Sequence, residues 1–166
     1  MRLEDIPDGK KVFIDSNIFT YLLVEDSRYI KSVNSFLKRI EQGKIIGFFN
    51  LTVFDETFFN FIKAKVIGMY GAKREGFNDL YKRNPDILSE ISPEPVLKIF
   101  QIDNLNLITL IRLSLVTKFS RKYSLLPADA INLAVMKTHN LINLASNDSD
   151  FERIDWINLY KPSKKE

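Results

Sequence analysis

A chain of 166 residues is long enough for one domain with a sizeable core, and 45% hydrophobic against 27% charged residues is the balance of a soluble globular protein. The absence of Cys excludes disulfides and thiolate catalysis, and with one His the available metal ligands are hard oxygens, which suit Mg²⁺ or Mn²⁺ rather than zinc. A net charge of +3 and a pI near 9.0 permit nucleic-acid binding without establishing it, while 13 Phe point to a large aromatic core.

The amino terminus, MRLEDIPDGKK, lacks the apolar segment of a signal peptide. Val12-Phe13-Ile14 is a short continuous apolar run, as expected of a strand buried on both faces. Asp15-Ser16-Asn17 comes next, then a helical pattern through Ile18, Phe19, Leu22 and Leu23. The spacing of Ile30, Val33, Phe36, Leu37 and Ile40 predicts a helix from about Ser27 to Gln42, closed by Gly43. Ile45 to Phe49 reads as a strand. Leu51 to about Met69 reads as a long helix, apolar around most of its circumference, with a narrow polar stripe through Glu56, Asn60 and Lys63.

Ala72 to Tyr81 is compatible with a helix, and Pro85, Pro93 and Pro95 interrupt the chain beyond it. Asn104 to about Tyr123 reads as another long helix, too short in its apolar part and too interrupted by Asn106, Thr109, Arg112 and Ser114 to span a bilayer. A cytosolic protein with no membrane partner is the expectation. Pro127 opens a helix ending near His139, Leu141 to Ala145 is a strand, Ser149 to Arg153 a short helix, and Trp156 to Tyr160 a last strand. The basic tail 161–165 reads as a solvated, frayed end. The whole, residues 1–166, is expected to be a single α/β domain: strands alternating with helices imply a parallel sheet covered on both faces, with its site outside the carboxyl ends of the strands.

Acids gather at those ends. Asp15 ends the first strand, where it could equally be a helix cap, although Ser16 or Asn17 could serve as well. Glu56 lies on the polar stripe of an apolar helix, with Asp55 as its competitor. Asp129 sits in the first turn after Pro127, where the helix dipole alone would favour it by about 0.3–1 kcal/mol. In Ser146-Asn147-Asp148-Ser149-Asp150-Phe151-Glu152, the spacing of Ser149 and Glu152 fits a capping box, which leaves Asp148 and Asp150 without a capping task. Two acids so close would repel unless a cation or solvent intervened. Carboxylates converging on an apolar scaffold need a cation or hydrogen bonds, and with only hard oxygen ligands available that combination points to phosphodiester chemistry. His139 reads as a helix-end residue and Lys118, Arg121 and Lys122 as a solvated face. Lys63 and Lys65 are better placed to meet phosphates, being on the helix of Glu56.

In order and placement, Val12 to Asn17, Thr52 to Glu56, Ala128-Asp129-Ala130 with Leu133-Ala134, and Ser146 to Phe151 resemble the PIN-domain family, the nuclease fold of VapC-type toxins and of several RNA-processing factors. The resemblance implies a three-layer α/β/α sandwich around a parallel sheet of four or five strands. It implies a pocket in which Asp15, Glu56, Asp129 and Asp148 hold one or two Mg²⁺ or Mn²⁺ ions, with Asp150 as an additional ligand and Asn17 and Ser146 orienting the ligands from behind. Residues 70–104 depart from the pattern of the compact toxins. The implied activity is metal-dependent cleavage of single-stranded or looped RNA, and the implied partners are an antitoxin protein and a second copy of the chain. The rival expectation is a catalytically inactive module of the same fold that binds RNA or a protein partner, against which the presence of all four acids argues. A dehalogenase-like phosphatase would need a second Asp where this chain has Asn17.

Overall fold

The computed structural model describes residues 1–71 and 76–165. Five strands form one sheet: β1 (Lys11–Ile14), β2 (Ile46–Phe49), β3 (Leu105–Leu107), β4 (Asn143–Ala145) and β5 (Asn158–Tyr160). Their order is β3-β2-β1-β4-β5, and every pairing is parallel. The helices are α1 (Ser16–Leu23), α2 (Ile30–Glu41), α3 (Leu51–Tyr70), α4 (Phe77–Arg83), α5 (Glu94–Phe100), α6 (Leu113–Tyr123) and α7 (Pro127–Thr138). Short 3₁₀ turns lie at Leu3–Asp5, Pro85–Glu90 and Ser149–Arg153 among the described residues.

The central strands are apolar over most of their length because helices cover both of their faces. Val12, Phe13 and Ile14 of β1 and Leu144 and Ala145 of β4 are all buried. From β1 the chain steps outward through β2 to β3, then returns across the sheet through α6 and α7 to β4 and continues to β5. Right-handed crossovers therefore put α2 and α7 on opposite faces, the α/β/α sandwich. Gly47 lets α2 lie close on its face: a Cβ there would meet Leu105 Cδ1 at 2.9 Å, Ile14 Cδ1 at 3.0 Å and Ile40 Cδ1 at 3.2 Å. Gly43, with φ of +73°, ends α2 as expected.

Two expectations require correction. Residues 104–112 are not helical: Leu105–Leu107 is the edge strand β3, and α6 begins only at Leu113. Asn104, at φ +63°, starts that segment with a bend, and Asn106 Nδ2 donates to the Gly47 carbonyl oxygen at 3.2 Å, tying it to β2. A short apolar run has no unambiguous period, and here pairing with β2 decides it. The basic tail is not frayed up to Lys165. Ser163 N donates to Ser32 Oγ, Ser163 Oγ to Glu4, and Lys165 N to the Arg28 carbonyl oxygen, so the tail is laid across the start of α2.

Other boundaries shift by a few residues. The second helix begins at Ile30, after a turn in which Asp26 accepts from Arg28 N and pairs with the Arg28 guanidinium. α4 starts at Phe77, and residues 72–75 of the expected helix lie outside the described residues. α3 buries Val53, Thr57, Phe61 and Val66 but exposes Phe59, Met69 and Tyr70, so it is less enclosed than its composition suggests. No helix among the described residues is long and apolar enough to cross a membrane.

Candidate active site

β1 and β4 are neighbours from which the chain departs in opposite directions, and this switch point opens a crevice at their carboxyl ends. Asp15 stands at the end of β1, its N–H still donating to the Ala145 carbonyl oxygen. Ser146 stands at the end of β4, its N–H donating to Tyr160. Both are buried, Asp15 at 4% exposure and Ser146 at 0%.

Asp15 is held by three donors. Oδ1 accepts from Ser16 N at 2.8 Å, which makes Asp15 the cap of α1, while Oδ2 accepts from Asn17 Nδ2 and from Ser146 Oγ, each at 2.6 Å. Ser146 Oγ also accepts from Asn17 Nδ2 and from Asp148 N, both at 3.0 Å, so one hydroxyl ties the end of β1 to the acidic turn after β4. Asn17 Oδ1 in turn accepts from Asn147 N at 3.2 Å. Burial pushes the Asp15 carboxyl up to about 7, against the opposing pull of the Ser146 and Ser16 hydrogen bonds and with added repulsion from Asp129 and Glu56.

Three further carboxylates converge beside it. Asp129, in the first turn of α7, and Asp148 and Asp150, on the turn after β4, each bring a ligand oxygen within 4.8 Å of the others, and all three are half-buried. Burial raises Asp129 to about 6, with repulsion from Asp148, Glu56 and Asp150 added. No hydrogen bond from a described residue eases the Asp129 carboxylate, and Arg153 is the cation that partly offsets its neighbours.

The expected residues thus fall into two sets. Asp129, Asp148 and Asp150 form one oxygen cluster. Asp15 and Glu56 lie near enough for their charges to act on it but are not members of that cluster. Glu56 is half-buried on the second turn of α3 whereas Asp55 is exposed, which separates the two competitors.

The expected capping box does not form. Asp148, not Ser149, caps the 3₁₀ turn, its Oδ1 accepting from Asp150 N at 2.8 Å, and Glu152 pairs instead with Lys161. Asp148 therefore has a structural task, with one oxygen engaged and the other open. Arg153, which sequence reasoning passed over, donates through Nε to the Asp150 carbonyl oxygen at 2.9 Å and pairs with the Asp150 carboxylate. Its signal was present in the i, i+3 spacing of Asp150 and Arg153.

The basic residues are engaged elsewhere. Lys63 Nζ lies 5.9 Å from the rings of Phe59 and Phe77, and Lys65 Nζ 5.4 Å from Phe61. Lys63 also lines, with Ser16, Asn17, Tyr21 and Asn60, a hollow of about 380 Å³ between α1 and α3 that reaches the site. Lys118, Arg121 and Lys122 line a separate open hollow on α6 that contains none of the acids. His139 ends α7, its Nε2 3.0 Å from the Leu110 carbonyl oxygen.

Residues 12–157 match the family model described as PIN domain. The chain belongs to the PIN domain family. It is 32% identical to Ribonuclease VapC2 of Methanocaldococcus jannaschii, over 92% of this chain and 94% of the relative. It is 31% identical to Ribonuclease VapC6 of the same organism, over 90% and 96%. Among solved structures it resembles VapBC2 from Rickettsia felis bound to a promoter DNA fragment, with TM-score 0.54, 16% identity, and coverage of 92% of this chain and 99% of that one. It also resembles FitAcB from Neisseria gonorrhoeae, with TM-score 0.50, 16% identity, and coverage of 90% and 96%. At that identity the structural likeness bears on the fold, where a parallel sheet between helices agrees with the sequence-based expectation.

Proposed function

We propose that this PIN-domain protein, folded as a single unit, is a divalent-metal-dependent endoribonuclease that hydrolyses phosphodiester bonds of single-stranded or looped RNA. The observation that carries the reading is the convergence of Asp129, Asp148 and Asp150 oxygens within 4.8 Å at the switch point of the sheet. The donor set fits Mg²⁺ or Mn²⁺: it is all carboxylate oxygen, and like charges crowded this closely, with Asp129 already pushed up to about 6, call for a positive partner. The names of the two Methanocaldococcus relatives point the same way.

In this reading Asp129, Asp148 and Asp150 would hold one or two ions, with Asp15 and Glu56 adding negative charge beside them. When bound, a divalent ion supplies an activated water and neutralises charge at the scissile phosphate. The protein's own residues supply position. Ser146 fixes Asp15 and the Asp148 backbone together, Asn17 braces Asp15, Ser146 and Asn147 N from the α1 side, and the Asp148 side chain caps the turn that carries Asp150. Burial of Asp15 keeps water away from the back of the site. No side chain needs to act as a nucleophile. Phosphates flanking the scissile bond would meet Lys63 along the α1–α3 hollow, so binding should weaken as salt rises.

An antitoxin covering this cleft, pairing of two copies and a cytoplasmic setting belong to the same proposal, carried by the family resemblance. Co-purification with the product of the neighbouring gene tests the first. The activity itself is tested by incubating RNA with the protein and Mn²⁺ or Mg²⁺, with EDTA and an Asp148→Asn variant as controls. Metal-dependent cleavage that EDTA and the variant both abolish is expected. RNA cleavage that persists in EDTA, or full activity in Asp148→Asn, overturns it.

A further inference from the structure

We propose that Arg153 is an internal counter-cation of the acidic cluster, which competes with the divalent ion for Asp150 and so sets how tightly that ion binds. The inference rests on the metal-centre reading above and deepens it.

Arg153 and Asp150 share the turn Ser149–Arg153. The guanidinium makes two contacts with one residue, Nε to the Asp150 main-chain oxygen at 2.9 Å and Nη2 to its carboxylate Oδ1. Among the described residues it is the one cation that pairs with any of the five acids, since the other ion pairs involve Asp8, Asp26, Glu94, Glu152 and Asp155.

A carboxylate oxygen bonded to a dication is a poor place for a guanidinium, because the two positive charges repel at that range. The ion therefore either displaces the Nη2 contact from Oδ1 or takes the other Asp150 oxygen against the guanidinium's repulsion, and both routes weaken binding. At 43% side-chain exposure Arg153 has solvent to swing into, and its main-chain contact can tether it while it does. Displacement of a half-exposed pair, together with loss of a nearby positive charge, is worth about three- to tenfold in metal affinity.

The test is calorimetric titration of the full chain with MnCl₂ at pH 7.5, comparing wild type, Arg153→Gln and Arg153→Lys, with circular dichroism to confirm folding. Arg153→Gln should bind Mn²⁺ about three- to tenfold more tightly than wild type. Arg153→Lys, which keeps the charge, should stay near the wild-type value. In wild type, titration with Mg²⁺ should move the Arg153 ¹⁵Nε resonance with the same midpoint as binding. Equal or weaker affinity in Arg153→Gln overturns the inference, and the weaker case would make Arg153 a residue that positions Asp150 for the ion. If wild type and variant bind alike, this inference alone fails; if neither binds Mn²⁺, the metal-centre reading falls and takes this one with it.

Discussion

Replacing Asp129 with Asn should produce a protein that is more stable and inactive at once. The carboxyl stands at about 6 in the folded chain against 3.8 for a free side chain. Holding such a group ionised at neutral pH would cost ~3 kcal/mol if it were fully buried. Asp129 is only half-buried, and solvent screening reduces the figure to about 1–1.5 kcal/mol. Asn keeps the shape and removes the charge. Without metal at pH 7.5, the variant should therefore melt roughly 2–6 °C above wild type. A raised acid pKa penalises the folded state only where the group is ionised, so the gain should shrink as pH falls through about 6. Adding Mn²⁺ reverses the ranking. Wild type at a hundredfold excess over its Kd gains about 2.7 kcal/mol by mass action, while the variant gains little. Cleavage should fall by a factor on the order of 10² or more. Scanning calorimetry at several pH values, with and without Mn²⁺, reads the first three effects and an RNA assay the fourth. A metal-free variant less stable than wild type at pH 7.5, or one with the full metal-induced rise, refutes the reasoning.

Asp15, raised to about 7 by burial, contributes stability that is complete below about 4 and lost as pH rises through 7. Urea unfolding without metal should show higher stability at pH 5 than at pH 8, by up to about 4 kcal/mol, with Asp129 acting in the same direction. Glu4 and Asp26, which are lowered, act only at more acidic pH. Ser146→Ala strips a donor from Asp15 and an acceptor from Asp148 N–H; it should cost about 1–3 kcal/mol by chemical denaturation, and cleavage should fall ~10–100-fold. Gly47→Ala forces its new methyl against Leu105, Ile14 and Ile40, for about 1–3 kcal/mol, yet Mn²⁺ affinity measured by titration should be unchanged because the contact lies away from the acids.

Strands β1, β2 and β4 were legible because short, mostly apolar runs ending in turn residues have few other readings, and Asp15 and Ser146 mark the ends of two of them. The edge strand β3 was not. Leu105 and Leu107 belong to a longer apolar stretch whose helical and extended readings differ only through its partner, the β2 backbone. The carboxylate-rich turn was legible as chemistry and illegible as geometry. Its spacing allowed either Ser149 or Asp148 to cap, and the choice falls to Asp148 because Ser146 already holds the Asp148 N–H. The docked tail and the Arg153 contact depend on tertiary proximity or on the side-chain rotamer, which composition does not express.

Burial sorts the acids into different tasks. Asp15, deepest in the fold, has three donors and caps α1, so both its oxygens are already engaged within the protein, although burial still raises its carboxyl to about 7. Asp148 gives one oxygen to its turn, Asp150 takes the Arg153 guanidinium, and Asp129, equally half-buried, has no donor among the described residues. Unmet hydrogen-bonding capacity is thus greatest at Asp129, in the middle of the acids that would receive a cation. Substitution at Asp15 should disturb fold and function together, since Ser16, Asn17 and Ser146 all lose their acceptor. Substitution at Asp129 should separate them, because no described residue donates a hydrogen bond to that carboxylate. A site with an undonated acid that is a net cost to the metal-free chain is one in which stability has been given up for a charge that only a bound cation makes favourable.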